Sequence, residues 1–308
     1  MTNLEWLLIG DESIVRLTRK YVLNEKVDYQ NNGFIDRYLK LYDKSTMKWG
    51  NGFYGPKWIS TNYTLLELKY MGIDPNNKIY QSSLKNYFDH FFKKYIDQKG
   101  IDSMDLCLSG MFIQLLAYGI IQDSRLNILI DYVLTNTMPD GAWNCLWNHQ
   151  SKPKISSVHT TINVLEGLQE YLNNGYQYRV TEVKLAVDRA IFTLLERQLI
   201  FKKGTRTPIH SSFVTHHYPS RWKYDYLRVL EFLARRKHPL VQEMIPAIDL
   251  LIKNLKHGRL TKGSIIPGRI HFPIENEKFG RFNTFRAYIV LKEYLPSIFQ
   301  EMLEIKVS

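Results

Sequence analysis

Apolar residues recur three or four positions apart through most of this chain, the spacing of one face of an α-helix. Five apolar doublets stand out: Leu65-Leu66, Leu115-Leu116, Val164-Leu165, Val229-Leu230 and Ile289-Val290, at successive offsets of 50, 49, 65 and 60 residues. Each interval has room for two helices and their loops. Further segments of helical period lie between the doublets, at Leu84 to Tyr95, Leu126 to Leu134, Val183 to Gln198 and Leu240 to Leu255, and an N-terminal unit spans Trp6 to Leu23. Strand-like alternation is scarce. The pattern predicts an all-α fold of about six helical hairpins in a single domain over residues 1–308.

The turns before the doublets resemble one another. Lys57-Trp58-Ile59-Ser60-Thr61 leads into the first, Ser157-Val158-His159-Thr160-Thr161 into the third, Arg221-Trp222-Lys223-Tyr224-Asp225 into the fourth and Arg281-Phe282-Asn283-Thr284 into the last. Gly50-Asn51-Gly52 with Gly55-Pro56, Pro139-Asp140-Gly141, Pro219-Ser220 and residues Gly263 to Pro273 supply the reversals. Ser60, Thr61, Ser156, Ser157 and Thr160 offer oxygens to the free amides at those helix starts. Stacked hairpins form either an open solenoid or a closed ring. The aromatic and potentially ligating residues at these turns favour a ring, an α/α toroid, whose inward rim gathers equivalent helix starts around one cavity.

Composition narrows the class. A chain of 308 residues that is 44% hydrophobic and 13% aromatic can bury a large core. Acidic residues at Glu5, Asp11 and Glu12 exclude a secretory signal at the start, and the apolar run Met111 to Ile121 is too short to span a bilayer, so a soluble cytoplasmic protein is expected. Two cysteines rule out a disulfide scaffold and suit a reducing compartment. The net charge of +11 favours an anionic partner. Short basic runs such as Arg235-Arg236-Lys237-His238 read as solvated helix ends, and no nucleic-acid motif accompanies them.

The turn Asp140-Gly141-Ala142-Trp143-Asn144-Cys145, the following Ser156-Ser157-Val158-His159-Thr160-Thr161 with Leu165-Glu166-Gly167-Leu168, the stretch Tyr218 to Asp225 and Arg281-Phe282-Asn283-Thr284 together resemble the α/α toroid family of squalene and hopene cyclases and the catalytic subunits of protein prenyltransferases, in particular a bacterial cyclase-like branch. The likeness runs over nearly the whole chain. It is specific for fold more than for reaction.

That resemblance implies a zinc site: prenyltransferases of this fold use an Asp-x-Cys pair and a later histidine, matched here by Asp105-Leu106-Cys107 and His159, with Cys145 between them. Thiolate, imidazole and carboxylate are ligands zinc prefers, and three of them with an open position mark a catalytic centre. The competing reading makes Cys107 and Cys145 small buried hydrophobes and His159 a turn residue. His210, His216 and His217 are further ligand candidates, read more simply as exposed loop residues.

Trp49, Trp58, Trp143, Trp147 and Trp222, with Tyr54, Tyr218 and Tyr224, belong to the repeat turns. Their faces would stabilise a cation, or they wedge hairpins together. The Asp-x-Asp-Asp acid motif of protonating cyclases is absent, as is Asp-Asp-x-x-Asp. Asp140 and Asp225 are the remaining candidates for a general acid, although an ion pair from Asp225 to Arg221 or Arg228 is the simpler expectation. Lys57, Arg221 and Arg281 recur at comparable turns and suit a diphosphate or carboxylate head group. Glu67, Glu166 and Glu231 follow three of the doublets and read as structural. The expected activity is a cyclase- or prenyltransferase-like enzyme with an isoprenoid-like substrate held by Trp58, Trp143, Trp222, Tyr224 and Arg221. The alternatives are a non-catalytic toroid that binds a lipid or protein partner, and a structural zinc protein.

Overall fold

The computed structural model describes residues 1–146 and 153–306. Among them the chain forms helices α1 (Asn3–Leu8), α2 (Glu12–Leu17), α3 (Gly33–Lys40), α4 (Thr61–Tyr70), α5 (Lys78–Phe92), α6 (Leu106–Tyr118), α7 (Leu126–Thr135), α8 (Val158–Asn173), α9 (Val180–Leu195), α10 (Tyr226–Arg235), α11 (Ile245–Asn254), α12 (Arg281–Tyr294) and α13 (Pro296–Glu304), joined by short 3-10 and π turns. Extended residues among those described make only isolated bridges. The fold is all-helical, as the periodicity requires. Trp147 lies outside the described residues.

Local chemistry sets the helix starts. The Thr2 and Glu5 side chains form a capping box on α1, Asp11 caps α2, Asn77 caps α5, Ser157 caps α8 and Asp225 caps α10. Ser60 precedes α4 but spends its hydroxyl on the Tyr54 carbonyl, 2.9 Å away. Proline near the N-terminus opens α11 and α13. That proline explains why α11 starts at Ile245 rather than near Leu240. Two helices, α3 and α13, exceed the sequence expectation. The signal for α3 was present in Phe34, Ile35, Tyr38 and Leu39, one apolar stripe.

Helices α4, α6, α8, α10 and α12 carry the five doublets and are buried almost all round, whereas α5, α7, α9, α11 and α13 bury one stripe. Helix α4 packs on α6, α6 on α8, α10 on α12, and α12 on α2 and the π turn that follows it. Side chains join α8 to α10. The stripe-burying helices lie against them: α5 on α4, α7 on α6 and α9, α9 on α8, α11 on α10 and α13 on α12. Each doublet leucine is essentially inaccessible, and burying one contributes roughly 1.5–3 kcal/mol relative to exposure.

Helices α6 and α8 meet most closely, through glycine. A Cβ at Gly110 would lie 2.5 Å from the Asn163 carbonyl oxygen, and one at Gly167 would lie 2.3 Å from that of Gly110. Only a residue without a side chain permits this approach. No helix among the described residues is long and apolar enough to cross a membrane.

Candidate functional site

The starts of four doublet-bearing helices are linked by direct contacts. Before α4, the Lys57 ammonium lies 5.5 Å from the Trp222 ring centre and the Trp58 ring lies 4.7 Å from the Arg221 guanidinium, both partners belonging to the turn before α10. Trp222 also meets the edge of His159, the second residue of α8, at 5.1 Å. The His159 Nδ1 accepts the Tyr224 amide at 2.8 Å. Beside His159, the Thr160 hydroxyl donates to the Cys145 sulfur at 3.3 Å, and that sulfur accepts the amide of Cys107, second residue of α6, also at 3.3 Å. Trp58, Arg221, Trp222, His159, Cys145 and Cys107 therefore form one connected set, drawn from stretches more than a hundred residues apart.

At its centre stands an ion pair with spare valences. Arg221, 6% exposed, has Nε 3.4 Å from Oε1 of Glu67, itself 4% exposed, but neither atom completes a hydrogen bond, and Nη1 has no partner either. Tyr38 donates its hydroxyl to the other Glu67 oxygen. Burial drives the Glu67 carboxyl above its ordinary pKa, against the pull of Arg221 and Tyr38, and lowers that of Arg221. The Tyr63 hydroxyl and the Trp222 indole N–H are likewise buried without a partner. Buried polar groups are normally paired, and leaving one unpaired costs about 1–3 kcal/mol. Loop residues 263–273 cover this cluster: Trp58 donates its indole N–H to the Pro267 carbonyl at 2.8 Å, and the His271 Nε2 sits 3.2 Å from the Thr64 hydroxyl.

Tyr54 connects the cluster to an aromatic cleft. Its ring lies 5.6 Å from that of Tyr63, and the Lys57 ammonium lies 5.4 Å from its centre. With Phe53, Tyr87, His90, Phe91 and Tyr95 it lines a cleft of about 290 Å³, which Lys94 and Leu108 complete. Phe53 is stacked between Tyr87, at 5.3 Å, and His90, at 4.3 Å. Of these walls only Tyr54 belongs to the repeat turns marked in the sequence. The signal for the rest was the aromatic spacing of α5, where Tyr87, Phe91 and Tyr95 fall four apart.

The residues expected to hold zinc assemble only in part. Cys107 and Cys145 are free, half-buried thiols joined by the bond from the Cys107 amide to the Cys145 sulfur. The neighbouring Cys145 side chain, with burial, raises Cys107, while that of Cys107 lowers Cys145. The His159 Nδ1 is occupied by the Tyr224 amide, and the ring is held edge-on against Phe213 and Trp222. Burial, reinforced by the charges of Arg228 and Lys223, pushes its pKa down to about 4. Asp105 occupies the N-cap of α6, exposed and without a capping bond. Among the described residues no group of three or more histidine, cysteine or acidic side chains is placed to hold a metal. Among the described residues the two sulfurs thus have one ligand fewer than the three protein ligands of a catalytic zinc centre.

Other expected site residues serve the fold. Trp143 is fully buried and donates its indole N–H to the Val133 carbonyl at 2.7 Å, as Trp49 does to that of Tyr38. Tyr224 is buried and donates its hydroxyl to the Leu199 carbonyl. Asp140 accepts from the Ser156 amide at 2.9 Å and Arg197 at 3.1 Å, which ties its turn to the end of α9. Asp225 forms no ion pair with Arg221 or Arg228. It caps α10 through the Arg228 amide at 2.8 Å and meets the His217 Nδ1 at 3.0 Å, because the Arg228 side chain turns to Glu166 instead. Burial alone would raise the Asp225 pKa, but the His217 bond and the charge of Arg286 outweigh it and hold it low. A carboxylate so held does not donate a proton.

A second raised carboxyl is Glu275, which burial brings to about 7 while it accepts the Arg281 and Asn283 amides at the start of α12. Arg281 pairs with Glu277 on a smaller cleft of about 150 Å³. His210 is exposed as expected, but His216 and His217 are buried, the former between the Tyr226 hydroxyl and the Thr261 carbonyl. Comparison with models of known families, with curated proteins and with solved structures returns no match.

Proposed function

We propose that the helices close into an α/α toroid and that the protein binds an apolar, isoprenoid-like molecule with an anionic head group. The tail would lie in the aromatic cleft, and the head would reach past Tyr54 to Arg221, Trp222 and Lys57. One observation carries this reading: Arg221 and Trp222 leave buried N–H groups unpartnered, and the Lys57 ammonium lies 5.5 Å from the Trp222 ring centre and 5.4 Å from that of Tyr54, a wall of the aromatic cleft. Such donors suit phosphate or carboxylate oxygens. The cleft is near the lower bound of ligand pockets, about 300 Å³, and joins apolar walls to a few convergent polar groups as such pockets do.

Binding is favoured over cyclase- or prenyltransferase-like catalysis because Asp225 is engaged as a carboxylate cap and Asp140 has one oxygen held by Arg197 and Ser156. Calorimetric titration with farnesyl diphosphate, farnesol and inorganic diphosphate tests the proposal. Farnesyl diphosphate is expected to bind best, and Arg221→Gln to weaken it roughly 10- to 100-fold, the worth of a hydrogen bond to a charged group. Absence of binding by all three, or unchanged affinity in both Arg221→Gln and Phe53→Ala, overturns it.

A further inference from the structure

The cysteine pair has a geometry of its own. Cys145 lies on the turn after Trp143, and its sulfur faces the N-terminal turns of two long helices. It accepts the backbone amide of Cys107, second residue of the 13-residue α6, at 3.3 Å, and the hydroxyl of Thr160, third residue of the 16-residue α8, at 3.3 Å. The Cys145 amide in turn donates to the Thr160 oxygen at 3.2 Å, which fixes the turn. Amides and helix dipoles at such ends stabilise negative charge on sulfur. The second thiol is that of Cys107, the residue whose amide the Cys145 sulfur accepts, and both residues are partly open to solvent. Leu108, next in sequence, lines the aromatic cleft.

We propose that Cys107 and Cys145 form a redox-active dithiol that exchanges with low-molecular-weight disulfides, Cys145 attacking and Cys107 resolving. The Cys145 thiolate attacks one sulfur of the small disulfide, breaking its S–S bond and forming a mixed disulfide. The departing small thiolate takes up a proton. The Cys107 thiol then loses its proton to solvent and displaces the second small thiolate, which is protonated in turn. Two protein thiols are oxidised, one small disulfide becomes two thiols, and protons balance.

The test is incubation of the purified chain with glutathione disulfide, followed by mass analysis of alkylated peptides without reduction. The expected result is loss of both free thiols together and a linked peptide pair containing Cys107 and Cys145. Cys107→Ser should accumulate a glutathione adduct on Cys145, and Cys145→Ser should react about tenfold or more slowly. The wild-type result needs no variant to fold. Persistence of two free thiols in wild type, equal slow reaction of both variants, or one tightly held zinc per chain that blocks alkylation would each overturn the proposal.

Discussion

Three glutamates, Glu67 buried and Glu166 and Glu231 partly so, follow equivalent leucines in the repeats, yet the latter two are fully paired and Glu67 is not. Glu166 receives Arg228 through both Nε and Nη2 at 2.8 Å, the Tyr70 hydroxyl at 2.9 Å and the Gln114 amide at 3.3 Å. Glu231 receives Arg286 at 2.6 Å and Arg235 at 2.8 Å. Remaining donors on those arginines find carbonyls: the Lys223 oxygen takes one from Arg228, and the His217 oxygen one from Arg286. Attraction there outweighs burial, and both carboxyls titrate below their ordinary range. Glu67 and Arg221 lie 3.4 Å apart with unused valences, and the carboxyl is raised. The first two pairs cross-link successive helices; the third leaves polar capacity in the interior for something else to fill.

Breaking a complete pair should show the largest effect. Arg228→Met strands Glu166 and leaves Asn163 without a donor, with an expected loss of about 3–5 kcal/mol in denaturant unfolding. A loss below about 1 kcal/mol would mean that water already screens the pair.

Acidification sharpens the same region next. Burial, with Arg228 and Lys223 nearby, holds His159 neutral in the fold, its pKa at about 4 against a reference of 6.5. Between these values the unfolded chain binds the proton more readily, so stability is complete above about pH 6.5 and declines as pH falls toward 4. The contribution is roughly 2–3 kcal/mol. It should appear as a steeper acid slope in wild type than in His159→Gln, and parallel slopes would refute it.

Arg286→Lys keeps the charge facing Glu231 but loses the planar fork that also reaches the His217 carbonyl. An intermediate cost of about 1–2 kcal/mol is expected from equilibrium unfolding. Glu67→Gln should matter least to stability, within about 1 kcal/mol of wild type in either direction, because its partner is already incompletely bonded. If Glu67→Gln were instead as costly as Arg228→Met, the distinction between cross-link and open site would fail.

Periodicity alone made the doublet-bearing helices legible, along with their intervening partners and the cross-linking glutamates Glu166 and Glu231, since a buried stripe must recur at the helical period. Glycine at Gly167 was visible as part of a repeat, but its necessity appears only where α8 crosses α6 at Gly110. The turn motifs also promised a gathering of side chains, and Trp58, Arg221, Trp222, His159 and the two cysteines do meet. Trp143 and Tyr224 look the same in sequence as Trp58 and Trp222, yet their polar atoms end on the backbone carbonyls of Val133 and Leu199.

Spacing determines which residues share a helix face, and so the amino-acid sequence by itself determined an all-helical chain with repeated starts. Which side chains at those starts are satisfied and which are left over depends on partners supplied from distant segments: Arg228 turning to Glu166 rather than Asp225, loop 263–273 covering Trp58, α5 bringing Tyr87 and Phe91 to Tyr54. Those pairings are contacts across tens to hundreds of residues, and they were decided only by tertiary packing, because hydrogen-bond satisfaction is a property of three-dimensional neighbours.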